Sequence, residues 1–283
     1  MKNKKKYSRV YVEITNKCNR ACTFCPGTKR APAAMSLEQF AVVCSRIKNL
    51  TDYVYLHVMG EPLTHPQITQ LISHAAAEGF KPCITTNGTL LDRMGKSIVE
   101  AGVYKVSISV HSFEEGSGQE QIEYVKQCLE FADYASKNGV LVVLRLWNRG
   151  CDEGRNLDTM SFVKEFFSGE EWKEGGRGIR IRNRLHLEFD DRFKWPDMDA
   201  EDTGCGVYCY GLKDHFGILC DGTVIPCCLD HEGDIALGNA FTESVEDILG
   251  GWRALAMRDG FMKRQATEEL CRKCGYAAKK FGL

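Results

Sequence analysis

The sequence has no apolar run that approaches membrane-span length, no recognisable export segment ahead of its first strand-like stretch, and almost no net charge, −1 over 283 residues. The first absence excludes a membrane-spanning helix. The second leads to the expectation of a reducing, cytoplasmic setting. The third removes any field-level argument for nucleic acid or a membrane surface as partner. Internal repeats and low-complexity segments are also missing. The one dense basic patch, Lys2 to Lys6 with one Asn, is too short for a nucleic-acid arm and reads as a solvated tail.

What the chain has in quantity is cysteine, 14 residues. Without an export signal that number points to metal chemistry before disulfides. The length suits one large α/β domain, or a domain of roughly 200 residues with a smaller appendix.

The first two thirds alternate strand and helix signals. Strand one is expected at about 8–15. A helix opens at Ser36-Leu37-Glu38-Gln39 with a capping-box pattern. Tyr53 to Met59 reads as strand two, Lys81 to Thr86 as strand three, Tyr104 to His111 as strand four and Val140 to Trp147 as strand five, with helical segments between them. Strand six is expected as one run, Ile179 to Phe189. Six βα units in order imply parallel strands with right-handed crossovers, an open or partial barrel. The pattern changes after Asp190. A hairpin signal at Asp221-Gly222 and seven cysteines between 205 and 274 mark a second unit. Two domains are therefore expected, 1–198 and 199–283.

Cys18, Cys22 and Cys25 follow strand one with the spacing C-x3-C-x2-C, and Phe24 precedes the third. A loop at a strand's C-terminal end is where α/β folds place their chemistry. Three thiolates can hold three irons of a [4Fe–4S] cluster and leave the fourth open, whereas clusters that only carry electrons usually have four cysteines. A zinc site would want a fourth Cys or His nearby, and the loop offers none. At this point the chain resembles the radical SAM superfamily, whose signature has this spacing after the first strand of a (β/α)6 partial, TIM-like barrel. The resemblance implies two cofactors, a [4Fe–4S] cluster and S-adenosylmethionine. It also implies reductive cleavage to a 5′-deoxyadenosyl radical that abstracts hydrogen from substrate, with electrons from a flavodoxin or ferredoxin type reductant under anaerobic conditions.

The same resemblance assigns further positions. Gly60 and Glu61, in Met59-Gly60-Glu61-Pro62, stand where the family holds the cofactor's amino group. Phe24, Thr86, Asn87 and Ser109 are implied neighbours of the cofactor. Arg145 lies among apolar residues of strand five, and a buried arginine needs an anion: the methionine carboxylate or a structural partner. Cys209, Cys227, Cys271 and Cys274 resemble the Twitch form of the SPASM extension, which holds a second, auxiliary [4Fe–4S] cluster. Cys205 and Cys228 are rival ligands, and a zinc ribbon is the alternative metal reading. Cys44, Cys83 and Cys128 fall in regular elements and read as small buried residues.

No catalytic residue can be singled out from the sequence, and the substrate is open. Arg180, Arg182, Arg184, His186 and Glu188 alternate with apolar residues on expected strand six, either as a solvated face or as a polar pocket shared with Glu13, Tyr55 and His57. Size and layout resemble the queuine lyases, which release a 7-deazaguanine base, and also the aminocyclitol dehydrogenase type of the butirosin pathway. A deazaguanine wants a carboxylate for its paired N–H donors and an aromatic face. Glu188, Glu13 or Asp230, with Trp147, Phe193 or Trp195, are the candidates. Sugar dehydrogenation or epimerisation, a peptide-modifying maturase and a non-catalytic iron–sulfur carrier are the competing functions.

Overall fold

The computed structural model describes residues 5–113, 118–152, 154–176, 178–202, 204, 206 and 208–281. One strand–helix rhythm runs through β1 (Arg9–Val12), α1 (Leu37–Ile47), β2 (Tyr53–Tyr55), α2 (Ile68–Ala77), β3 (Lys81–Thr86), α3 (Leu91–Glu100), β4 (Lys105–Ser109), α4 (Gln119–Lys137), β5 (Leu141–Arg149) and α5 (Arg155–Phe166). A hairpin of β6 (Lys173–Gly175) and β7 (Gly178–Arg182) then leads into β8 (Leu185–Asp191). Strands β1, β2, β3, β4, β5 and β8 pair in parallel in that order. These are the six parallel strands of the expected TIM-like partial barrel.

Local chemistry sets the element ends. The Ser36 hydroxyl accepts from the Gln39 amide while the Gln39 side chain accepts from the Ser36 amide. Such a cap contributes about 1 kcal/mol. α1 buries Phe40, Val43, Cys44 and Ile47 against the sheet, and Val10, Val12, Val54, Ile84, Val106 and Leu144 complete the core from the strands. Cys44, Cys83 and Cys128 are buried, as small core residues.

Strand six differs from its expected form. Ile179 to Phe189 is not one strand but the two arms of a β7–β8 hairpin, which pair antiparallel. The chain reverses at Asn183-Arg184, where Arg184 adopts φ 64° without being glycine. Only β8 belongs to the parallel set, so the five alternating charges do not share one face.

The C-terminal part is built of β9 (His215–Ile218), β10 (Thr223–Ile225), β11 (Gly238–Asn239), α6 (Val245–Gly250), α7 (Trp252–Met262), α8 (Glu269–Arg272) and α9 (Gly275–Phe281). β9 pairs parallel with β1, on the side away from β2. β9 and β10 form the hairpin expected at Asp221-Gly222, with Gly222 at φ +87°. Among the described residues the eleven strands thus form one sheet, in the order β11-β10-β9-β1-β2-β3-β4-β5-β8-β7-β6. The expected boundary at 198/199 falls between β8 and β9, and the sheet continues across it. Among the described residues no helix is long and apolar enough to cross a membrane.

Candidate active site

One group of thiols lies on the loop at the carboxyl end of β1, and a second lies where the chain enters β9 and leaves β10. The loop after β1 carries Cys18, Cys22 and Cys25. The Cys25 amide donates to the Cys22 carbonyl at 3.1 Å. The Cys22 thiol lies 3.5 Å from the Ser112 carbonyl, and the Asn87 side-chain amide reaches the Cys18 sulfur at 4.0 Å and Asn19 Oδ1 at 2.9 Å. Burial pushes the Cys25 thiol up, the Gly27 amide opposes this and Cys18 adds to it.

The next loop fixes this one. Gly60 has φ +77°, and a Cβ there would sit 2.5 Å from the Thr15 carbonyl oxygen and 2.7 Å from that of Lys17. Glycine is therefore required for close packing of two loops. The Glu61 amide donates to the Lys17 carbonyl at 2.8 Å. Its carboxylate, 2% exposed, accepts from the amides of Leu63 (3.0 Å) and Asn87 (2.6 Å). Burial raises the Glu61 carboxyl to about 7 against those lowering bonds. Glu61 thus ties the cysteine loop to the β3 loop. Thr86 is also spent locally, accepting from the Gly88 amide at 3.1 Å. The ring of Phe24 packs 5.0 Å from that of His111, and its carbonyl accepts from the Trp195 indole at 3.1 Å.

Ser109 and Arg145 are register partners on β4 and β5. Arg145 stacks over Trp147 at 4.2 Å and donates to Thr85 Oγ1 at 3.3 Å, while its buried Nε has no partner. An orphaned buried guanidinium nitrogen beside a hydroxyl suits a carboxylate.

The second group joins three chain segments. Cys227 follows β10, Cys271 lies on α8, Cys274 precedes α9 and Cys209 precedes β9. The Gly211 amide donates to the Cys209 sulfur at 3.3 Å and the Ala277 amide to the Cys274 sulfur at 3.4 Å. Burial pushes the Cys227 thiol well up, and Cys228, Cys209, Cys271 and Cys274 each push it further. Burial also raises the Cys228 thiol, with Tyr11 and Arg9 acting against it. Cys205 lies outside the described residues. Among the described residues no group of three or more His, Cys, Asp or Glu side chains is drawn in to the spacing of a single metal ion.

Several sequence expectations about substrate residues are corrected here. Glu13 is fully buried and committed: Arg30 donates to it twice (2.6 and 2.8 Å), and the amides of Met59 and Cys220 donate at 3.2 Å. It clamps the cysteine loop to β1, the Gly60 loop and the C-terminal part, and breaking such a buried pair costs about 3–5 kcal/mol. Asp230 accepts from the amides of Asp234 and Ile235, which makes it a turn residue. Arg182 pairs with Asp133 at 2.7 Å and Glu170 at 2.8 Å against α4. None of these three is free for a ligand.

Tyr55, His57, His186 and Glu188 do come together, on the inner face. Tyr11, Tyr55 and His57 pack with centroids 5.3–5.8 Å apart. Burial, with Arg145 and Lys105 nearby, pulls His57 down to about 3, so the ring is neutral, and its buried Nδ1 has no partner. Glu188 pairs in register with Arg145. Lys105 is the residue that sequence reasoning missed. It shares the Ser107 and Ser109 face of β4 by period two, and that signal was present.

Residues 12–149 match the Radical SAM superfamily, and residues 209–275 match an iron–sulfur cluster-binding domain, SPASM. The chain is 36% identical over 112 residues to a GTP 3',8-cyclase of Chlorobaculum tepidum, covering 37% of this chain and 33% of that protein. It is 25% identical over 238 residues to a GTP 3',8-cyclase of Aliarcobacter butzleri, covering 76% of this chain and 73% of that protein. The match to the first of these relatives thus spans a third of that protein's length. The crystal structure of BtrN in complex with AdoMet and 2-DOIA superposes with a TM-score of 0.61 at 16% identity, over 95% of this chain and 92% of that one. At that identity the likeness is one of fold.

Proposed function

Because this chain belongs to the radical SAM superfamily and carries a C-terminal SPASM domain, we propose that it is a lyase that releases a 7-deazaguanine base from its cyclopentenediol appendage, the reaction of the queuine lyases. Cys18, Cys22 and Cys25 would hold the [4Fe–4S] cluster that binds S-adenosylmethionine, and Cys209, Cys227, Cys271 and Cys274 the auxiliary cluster. Bound there and reduced by a flavodoxin or ferredoxin, these groups supply a 5′-deoxyadenosyl radical that removes hydrogen from carbon.

The chain's own residues do the rest. Ser109 and Arg145, register partners with an unpartnered Arg145 Nε, would meet the cofactor's carboxylate. Asn87 and Glu61 hold the cysteine loop in place, and Phe24 packs under the loop with His111. Tyr11, Tyr55 and Trp147 wall the barrel and keep water from the reacting carbon. One observation carries the base reading: of the three carboxylates weighed for the base, Glu13 and Asp230 are committed inside the protein, and only Glu188 faces the interior with no hydrogen bond to its side chain among the described residues. Relatives named for GTP, a guanine nucleotide, lean the same way.

The test is anaerobic reconstitution, then mass analysis of products from queuine and, separately, from an aminocyclitol such as the 2-DOIA of the BtrN complex. The expected result is free 7-deazaguanine base with matching 5′-deoxyadenosine from queuine. Turnover of the aminocyclitol alone would replace the lyase with a dehydrogenase.

A further inference from the structure

The peptide that joins Phe24 to Cys25 is held at both ends. Its N–H, on Cys25, donates to the Cys22 carbonyl at 3.1 Å within the same loop. Its carbonyl, on Phe24, accepts from the Trp195 indole N–H at 3.1 Å, a bond that spans 171 residues of chain. The Phe24 ring is met from the same distant stretch, by the Arg192 guanidinium at 5.4 Å. An indole has one N–H and no acceptor, so this bond uses all that Trp195 has to give. A peptide is planar, and one pinned at both ends cannot swing about its flanking bonds. That plane sets where the Cys25 side chain leaves the backbone.

The stretch that carries Trp195 is itself clamped. The Trp195 ring meets Phe193 at 5.4 Å and, edge-on, His231 at 5.5 Å, and Phe193 meets Tyr276 at 5.1 Å. Lys279 donates to the Arg192 carbonyl at 2.9 Å. Gly275 lies so close that a Cβ there would sit 2.7 Å from the Lys194 carbonyl oxygen. Gly275, Tyr276 and Lys279 all belong to α9, which begins directly after Cys274. The indole is thus fixed from the side of the second thiol group and reaches across to the first.

We propose that Trp195 is a positioning residue for the first cluster: its N–H fixes the Phe24–Cys25 peptide so that the Cys25 thiolate is presented to iron in one orientation. This role presupposes Cys18, Cys22 and Cys25 as the ligands of that cluster and is independent of the lyase chemistry. Groups that orient a metal ligand from outside govern how firmly the metal is held, and hydrogen bonding around a cluster tunes its electronic state.

The experiment compares wild type with Trp195→Phe, which keeps a ring and deletes the N–H, both as the anaerobically reconstituted full chain. The first cluster is identified by the EPR signal that changes when S-adenosylmethionine is added. In Trp195→Phe that signal is expected to shift, and an iron chelator to bleach it about two- to tenfold faster, the effect of losing one hydrogen bond. The auxiliary signal is expected to keep its wild-type form and rate. A lower melting temperature with the first signal and its bleaching rate unchanged is the behaviour of a merely structural tryptophan and overturns the role. A wild type with no signal that answers to S-adenosylmethionine overturns the ligand assignment and the role together. A second reading needs no change at Trp195. With nitrogen-labelled tryptophan, the Trp195 indole signal in NMR is expected to be shifted or broadened in the loaded wild type relative to the variant with Cys18, Cys22 and Cys25 replaced by alanine. An identical indole signal in the two overturns the role.

Discussion

Replacing Cys18, Cys22 and Cys25 together by alanine is expected to abolish 5′-deoxyadenosine formation under dithionite, a fall of about 10³-fold or more. The reason lies in how these thiols are held. All three are on one loop, and besides the long contacts of Cys22 with the Ser112 carbonyl and of Asn87 with Cys18 the loop is held through Asn87 and Asn19, the Gly60 backbone and the Arg30–Glu13 pair. The loop therefore keeps its supports when the sulfurs go, and the protein folds without its SAM-cleaving centre. The C-terminal thiols lie on other segments, after β10 and around α8, so absorbance from the auxiliary cluster should persist. Reductive cleavage by the triple variant would contradict the assignment of the first cluster.

A second large effect is expected from Cys271→Ala with Cys274→Ala. Four thiolates leave no open iron, which suits a centre that moves an electron to or from a substrate radical rather than one that binds substrate. The double variant should still abstract hydrogen, because its changes lie outside the barrel, yet it should yield almost no product. The measurement is the ratio of 5′-deoxyadenosine to product, with deuterium transferred from labelled substrate as the mark of abstraction. Labelled 5′-deoxyadenosine without product is the expected outcome. A full product yield would make the second centre a structural staple.

The parallel strands and the cysteine loop were legible because both are local signals: period-two runs, a capping box, and thiols within eight residues of each other. What misled was of two kinds. At strand six the alternation of charged and apolar residues runs straight through a reversal at Asn183-Arg184 that no glycine or proline marks, so two strands read as one. At Glu13 and Asp230 the residue type was right for a ligand, but the donors that use it up are not visible locally. Arg30 is 17 residues from Glu13, and the Cys220 amide is 207 residues away. Lys105 went unnoticed beside two serines on the same strand face, although period two places it there.

Iron, sulfide and zinc analysis of the anaerobically reconstituted protein tests most directly the central claim, that one sheet carries two separate cluster sites. Two [4Fe–4S] clusters require about eight irons per chain and no zinc, falling to about four in either the triple or the double cysteine variant. Four irons with one zinc in the wild type would contradict the second site and leave the C-terminal thiols as a zinc ribbon.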